Sequence, residues 1–163
     1  MDAEIPGEAP IVTAGIMPAN KLAISYTFLL VGVSDQSDLS ALYRATVSGI
    51  RIKALSEFAQ SVDMLSSDFL LMKLTGLSGG AIRRRLKSPN ERLNSEQSDR
   101  ALRGVLLLDH AIRVIGSKAL AEEWMLNPSR GLDGRKPIDM LENSIGAQLV
   151  SDFLTRLEYG VYQ

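Results

Sequence analysis

Few residues in this 163-residue chain have types and spacings suited to catalysis. The chain contains no cysteine and a single histidine, His110, so thiol catalysis, a disulfide framework and any site that needs two imidazoles are excluded. Asp109 precedes His110, but neighbouring residues on a helix point about 100° apart and cannot form a dyad. We therefore interpret His110 as a structural residue.

The other chemical candidates are equally weak. Glu122 and Glu123 are adjacent carboxylates on a predicted helix, and we interpret both as surface charge. The Gly79–Gly80 pair lacks the lysine and the spacing of a phosphate-binding loop. The sequence therefore predicts a protein that is not an enzyme and that uses no metal ion and no cofactor.

Basic residues concentrate in the middle of the chain. The net charge is −1, yet residues 71–105 carry eight basic and three acidic side chains, a balance of +5 between flanks of −4 and −2. A basic stripe is typical of a surface that contacts nucleic-acid phosphates, although a solvated helix face is the alternative. The secondary-structure element that carries the stripe distinguishes a nucleic-acid contact from a solvated helix face.

Two short predicted helices surround this stripe. Ser66–Ser67–Asp68 forms an N-cap cluster before an apolar helix that ends at Gly76. Ser78 then caps a second helix, which Ser88–Pro89–Asn90 ends. Two short helices joined by a short turn with a glycine predict a helix-turn-helix motif.

The second helix of the pair would be the one that enters a DNA major groove. Ile82 and Leu86 lie four residues apart and would pack inward, which turns the cations of this helix outward. The predicted DNA-binding residues are Ser78, Arg83, Arg84, Arg85 and Lys87. Because one such helix covers one half-site, we also expect a homodimer, formed through the N-terminal domain or along residues 101–116.

The remaining pattern is helical, and we expect an all-α protein. Residues 1–20 lack periodicity and predict a mobile tail, while the pattern of Leu22–Val33 leaves helix and strand open. Asp38 predicts the start of a helix that ends at Gly49, and a further helix is expected over about 53–62. Residues 1–36 thus form a tail and a leading apolar segment, residues 37–92 a helix-turn-helix domain, and residues 93–163 a second helical domain.

The second domain has its own start and stop signals. A long helix ends at Gly116, and Ser117 caps a shorter one that ends at Asn127–Pro128. Pro137 suits the first turn of a brief helix. The last helix opens at Ser144, and its predicted inward residues are Ile145, Leu149, Phe153, Leu154 and Leu157.

The N-terminal residues also bear on location. The chain opens with Asp2, Glu4 and Glu8, whereas a secretory signal needs a basic start. The apolar run 22–33 is shorter than the roughly 20 residues that span a membrane. We therefore expect a cytoplasmic protein with no membrane partner.

The C-terminus ends in a short aromatic segment. Tyr159, Gly160, Val161 and Tyr162 directly follow the last predicted amphipathic helix. The segment either folds back on its own core or anchors a partner, because aromatic side chains dominate binding hot spots.

An ordered series of residues covers the C-terminal half of the chain. It comprises Arg100, Leu106, Ala111, Ala119–Leu120–Ala121, Trp124–Met125, Asn127–Pro128, Leu132–Asp133–Gly134, Pro137–Ile138–Asp139–Met140–Leu141, Gly146, Val150 and Gly160–Val161–Tyr162. This series closely resembles the toxin-binding domain of the Xre/MbcA/ParS antitoxins. The helix-turn-helix before it resembles the Xre-like half of that family, and the whole resemblance covers roughly Leu39 to Tyr162.

This resemblance implies an antitoxin whose partner is a RES-domain toxin that degrades NAD or transfers its ADP-ribose. The C-terminal domain would cover the toxin active site in a hetero-oligomeric complex, and the N-terminal domain would bind operator DNA as a dimer and repress its own operon. The residues expected to contact the toxin are Trp124, Arg130, Leu132, Arg135, Tyr159, Gly160, Val161 and Tyr162.

The chain departs from the family pattern at the start of the basic helix. Gly79–Gly80–Ala81 stands where polar residues usually read base edges, and Met72 is bulkier than the small residue usual where the two helices cross. Arginines can still hold phosphates there. The alternative function is a free-standing helix-turn-helix transcriptional regulator whose C-terminal half dimerises or senses a ligand.

Overall fold

A 21-residue helix organises the fold. The computed structural model describes residues 25–63, 66–88 and 90–160. Within these ranges the chain is all-α, as predicted, and the extended pairing consists of isolated bridges. Its elements are α1 (Tyr26–Val31), α2 (Leu39–Ser48), α3 (Ile52–Gln60), α4 (Ser67–Thr75), α5 (Gly79–Leu86), α6 (Ser95–Ile115), α7 (Lys118–Leu126), a 3-10 turn (Arg130–Leu132), α8 (Pro137–Met140) and α9 (Ser144–Glu158).

The long helix α6 packs against helices from both ends of the chain. It contacts α1, α2 and α4, which precede it in the sequence, and α7 and α9, which follow it. Buried apolar side chains from Tyr26 to Leu154 form one cluster around it. The division at residue 92 therefore stays a prediction about function, since the two predicted domains share this core.

Short polar side chains fix where the helices begin. Asp38, Ser66, Ser78 and Ser117 each accept a hydrogen bond from the backbone N–H three residues ahead, as their positions predicted. Each bond satisfies one of the N–H groups that a helix start leaves unpaired. The predicted helix-ending glycines follow α2, α4 and α6 with positive φ, and they are Gly49, Gly76 and Gly116.

Helix α1 resolves the open choice between helix and strand in the run 22–33, of which residues 22–24 lie outside the described ranges. The buried carboxylate of Asp109 accepts hydrogen bonds from the backbone N–H groups of Tyr26 and Thr27, both at 2.8 Å. It also accepts from Thr27 Oγ1 at 2.6 Å and Gln36 Nε2 at 2.9 Å. A negative charge at a helix start is favourable, so Asp109 ties α1 to α6. The predicted tail over 1–20 lies outside the described residues.

The interpretation of Glu122 as surface charge is wrong, whereas Glu123 is exposed. Glu122 is 1% exposed. Its carboxylate accepts hydrogen bonds from the Tyr26 hydroxyl at 3.2 Å and the Asp63 backbone N–H at 3.0 Å. These partners lie far away in sequence, and they make burial of the carboxylate tolerable.

The predicted inward face of α9 is partly wrong. Leu154 is buried, and Phe153 and Leu157 are half-buried. Ile145 and Leu149, however, are 72% and 46% exposed. The side of the helix that faces the core instead carries Gly146, Ala147, Val150 and Leu154. The backbone of α9 lies so close to α8 at Gly146 that a side chain there would overlap it.

Candidate functional surfaces

The helix pair predicted for DNA binding is present as α4, a three-residue turn over 76–78 and α5. Gly76 has a φ of 72°, which favours glycine. The Arg100 Nε of α6 donates a hydrogen bond to the Lys73 carbonyl at 3.0 Å, near the end of α4. A residue of α6, outside the helix pair, thus fixes the end of α4 where the turn begins.

Helix α5 and its C-cap residue expose three of the four predicted cations. Ile82 is 1% exposed and fixes the inward face, while Leu86 is half-buried. Arg83, Arg84 and Lys87 are exposed, and none of them forms an ion pair within the ranges that the structure describes. Ser78 uses its Oγ to cap the helix, accepting from the Ala81 N–H at 3.3 Å. Two unpaired positive charges therefore lie on α5, and a third lies on its C-cap residue Lys87.

The prediction that Arg85 turns outward is wrong. Its side chain is 23% exposed, and its Nε lies 3.3 Å from Glu91 Oε1. Its Nη1 donates to Gln97 Oε1 at 3.2 Å. Gln97 belongs to the capping box at the start of α6, so Arg85 links α5 to that helix and is already paired.

The two glycines at the start of α5 have different surroundings. A Cβ placed on Gly79 would lie 3.8 Å from Met72 Sδ, an ordinary contact. A Cβ on Gly80 would meet nothing within 4 Å. Since Gly80 has no positive φ, internal packing does not require glycine there.

The residues of the C-terminal motif series build a rigid platform. The Trp124 ring of α7 stacks on the Phe153 ring of α9, with centroids 6.0 Å apart and planes 13° apart. Gly131 lies under the same ring, since a Cβ there would overlap Phe153. Trp124 is half-buried.

The loop between α7 and α8 is closed by its own backbone. The Ser129 N–H donates to the Arg135 carbonyl at 3.0 Å, and the Gly134 N–H donates to the Ser129 carbonyl at 2.9 Å. Arg130 and Arg135 are exposed on this loop. Leu132, expected to contact the toxin, is instead 5% exposed and packs in the core. It supports the loop rather than presenting a side chain to a partner.

The end of α9 is clamped to α6. Glu158 Oε2 lies 3.1 Å from His110 Nε2, and Arg113 Nε donates to Glu158 Oε1 at 3.3 Å. Partial desolvation opposes ionisation of Glu158, but the hydrogen bond of His110 and the charge of Arg113 outweigh it and lower the pKa of this carboxyl. His110 is therefore a structural residue in this clamp.

The predicted aromatic segment leaves from this clamp. Tyr159 is 74% exposed. Gly160 has a φ of 66°, the left-handed conformation in which helices commonly end. Val161 and Tyr162 lie outside the described residues.

These surfaces define a class of small helical protein that acts by binding partners. No group of three or more metal-binding side chains that could hold a metal ion occurs in the described part of the chain. None of the helices described has the length and apolarity needed to cross a membrane.

Comparison with known proteins gives the family. Residues 110–160 match a family model described as the antitoxin Xre/MbcA/ParS C-terminal toxin-binding domain. The chain is 34% identical over 111 residues to the antitoxin Xre of Yersinia enterocolitica, covering 63% of this chain and 74% of that protein. It is 32% identical over 92 residues to the antitoxin Xre of Photorhabdus laumondii, covering 56% and 62% respectively.

The chain belongs to the Xre/MbcA/ParS family of antitoxins. It is an antitoxin of a toxin–antitoxin system and not an enzyme. A further match of 48 residues to a 6-hydroxy-3-succinoylpyridine 3-monooxygenase of Pseudomonas putida covers 15% of that protein. So short a match carries no argument for its activity here.

Proposed function

We propose that this antitoxin neutralises a RES-domain toxin by covering its NAD-binding active site, and that it represses its own operon by binding operator DNA. The observation that carries the first part is the exposed Tyr159 at the end of a clamped helix. The resemblance to the family supplies the class of toxin. The three unpaired cations of α5 and its C-cap support the second part.

The attachment of the C-terminal segment supports the proposed occlusion. Glu158 fixes the last turn of α9 through His110 and Arg113, and Gly160 follows with a positive φ, which permits a turn away from the helix axis. A cleft that binds a dinucleotide is concave and mostly apolar, with a few polar groups. Val161 and Tyr162 supply an apolar body and a hydroxyl that suit such a cleft.

The exposed arginines of the loop have a smaller part in this proposal. Arg135 Nη1 lies 3.9 Å from Asp133 Oδ2, and both side chains are more than half exposed. Exposed ion pairs are worth at most about 1 kcal/mol. Arg130 and Arg135 are therefore proposed to tune association with the toxin rather than to block its active site.

Deletion of residues 159–163 tests the occlusion. We expect the truncated protein to lose inhibition of NAD consumption by the toxin encoded beside it, while keeping its DNA affinity. An Arg130→Ala/Arg135→Ala variant of the full chain is the control, and it should still inhibit. Full inhibition by the truncated protein would show that the surface of α7, the loop and α9 carries neutralisation instead. Operator binding without any inhibition by the full chain would favour a free-standing regulator.

A homodimer is the second part of the assembly that we propose. Leu39, Tyr43 and Val47 are 75%, 68% and 57% exposed and lie four residues apart along α2. This spacing makes one continuous apolar stripe. In the other candidate segment, residues 101–116, most apolar side chains already lie in the core. The α2 stripe is therefore the surface proposed to pair two copies.

Charged substitutions in the stripe test the dimer. Tyr43→Glu combined with Val47→Glu should convert a dimer at micromolar concentration to a monomer in light scattering, since it buries two carboxylates in the paired surface. Leu120→Glu changes an exposed leucine of α7 and is the matched control. A wild-type chain that is monomeric both free and on DNA would contradict the proposal.

A further inference from the structure

A groove of about 580 Å³ opens beside the loop that follows α7. Its walls come from that loop, from α8 and from the first two turns of α9. All of its lining residues fall between Pro128 and Leu149. Among the described residues predicted to contact the toxin, Arg135 alone lines it.

One wall of the groove is apolar and lacks a partner. Ile145 and Leu149 line the groove and lie one helical turn apart on α9. Both side chains are exposed, although the sequence predicted them to face the core. Side chains at this spacing lie on one face of a helix. Together they present an apolar strip along the groove that water covers in the free chain.

Two cations also line the groove. Arg135 and Lys136 line the groove and are exposed. Asp139 also lines it, and its Oδ1 lies 2.8 Å from Lys73 Nζ, which Glu142 Oε1 approaches to the same distance. The lining itself therefore carries two cations and one carboxylate. The Asp133 contact of Arg135 is long, at 3.9 Å. The groove therefore favours an occupant that carries negative charge.

The floor of the groove is rigid. Gly146 brings the backbone of α9 against the Met140 carbonyl, where a Cβ would overlap. Asn143 caps α9 through its side chain, accepting from the Gly146 N–H at 2.8 Å. The backbone hydrogen bonds of residues 129–135 hold the other side. A site formed in advance loses little free energy to ordering when it binds.

We propose that this groove receives an element of the cognate toxin that carries an apolar side chain next to a carboxylate. The inference rests on the proposed neutralisation and deepens it by naming a docking surface apart from the C-terminal segment. The groove lies wholly within the stretch that matches the toxin-binding domain model. Its apolar strip and its two cations give the two features that the occupant must match.

The test separates this groove from the rest of the chain. Ile145→Asp combined with Leu149→Asp should weaken binding of the full chain to the purified toxin at least tenfold in calorimetry, with the circular dichroism spectrum unchanged. Leu29→Asp alters an exposed leucine of α1, outside the groove and outside the stretch that matches the toxin-binding domain model, and should bind within twofold of wild type. Lys136→Glu should lower the association rate, and the loss should shrink as salt is added.

The outcomes distinguish the two proposals. A wild-type chain that does not bind the toxin overturns both of them. Binding of the double variant within twofold of wild type, with inhibition intact, overturns the groove alone. A double variant that binds the toxin normally but changes the oligomeric state would assign the groove to a second copy of this chain, and would likewise overturn the proposal.

Discussion

Substitution of the α5 cations should change how DNA affinity depends on salt. Arg83 and Arg84 are exposed and unpaired in the described structure, whereas Arg85 is held by Glu91 and Gln97. We therefore expect Arg83→Ala/Arg84→Ala to remove phosphate contacts and Arg85→Ala to leave them in place. The sequence alone treats the three arginines as equivalent, so this contrast tests the structure.

The size of the effect follows from counterion release. Each phosphate contact adds about 0.9 to the slope of log affinity against log salt. Loss of two contacts should lower that slope by about 1.8 for each protomer and about 3.6 for a dimer on two half-sites. Between 50 and 200 mM salt, a slope difference of about 1.8 changes the affinity ratio of wild type to variant by about 12-fold.

The assay is a salt titration of fluorescence anisotropy with DNA from upstream of the gene. Arg85→Ala is the matched control on the same helix. It should keep the wild-type slope, although its melting temperature should fall because the link to α6 is broken. An unchanged slope for Arg83→Ala/Arg84→Ala would refute the assignment of the DNA-contacting face. A slope for Arg85→Ala as low as that of the double variant would refute the argument from pairing.

Three further predictions concern stability, each measured by thermal unfolding. Asp109→Ala leaves two backbone N–H groups of α1 unpaired. It should lower the free energy of unfolding by about 3 kcal/mol and the melting temperature by about 9 °C. Glu123→Ala, at an exposed carboxylate, should change little, and equal effects of the two substitutions would contradict the role of Asp109. Gly80→Ala should raise the free energy of unfolding by about 0.5 kcal/mol, because alanine has the higher helix propensity. Gly146→Ala should lower it, because a Cβ there would overlap α8. A stabilising Gly146→Ala with a destabilising Gly80→Ala would contradict the packing described. Because the pKa of Glu158 is lowered in the folded state, its contribution is present above the unfolded pKa and disappears as pH falls through the folded pKa. Glu158→Gln should therefore be less stable than wild type near pH 7 and converge with it in acid, and a constant difference would contradict the clamp.

Helix ends were the most predictable part of the fold. A cap is a local interaction between a side chain and the N–H groups three residues ahead, so Ser66, Ser78 and Ser117 can be recognised without knowledge of the rest of the chain. The same holds for Gly76 and Gly116, whose positive φ suits glycine. The helix pair around the basic stripe follows from these ends.

The faces of the helices were less predictable. On α9, Ile145 and Leu149 fit a helical period as well as the residues that are buried, and periodicity does not tell which of two overlapping apolar faces meets the core. The small Gly146 and Ala147 occupy the inward side because α8 approaches there. Side-chain size, rather than apolarity, decides that face.

The hydrogen-bond partners that charged side chains find outside their own helix were not predictable. The buried Glu122 carboxylate accepts hydrogen bonds from Tyr26 and Asp63. The Arg85 side chain pairs with Glu91 and Gln97 and is therefore largely covered. No local pattern marks a carboxylate or an arginine for such a partner. The candidate DNA-binding surface therefore keeps three of its four predicted cations, and the toxin-contacting set loses Leu132 to the core.

The single core around α6 has a thermodynamic consequence for regulation. A ligand that binds only the folded chain at a hundredfold excess over its Kd adds about 2.7 kcal/mol to the free energy of unfolding. Since α6 packs against both the α4–α5 side and the α7–α9 side, that increment reaches the whole chain. We therefore expect a toxin bound at one end to slow proteolysis of the helices at the other end.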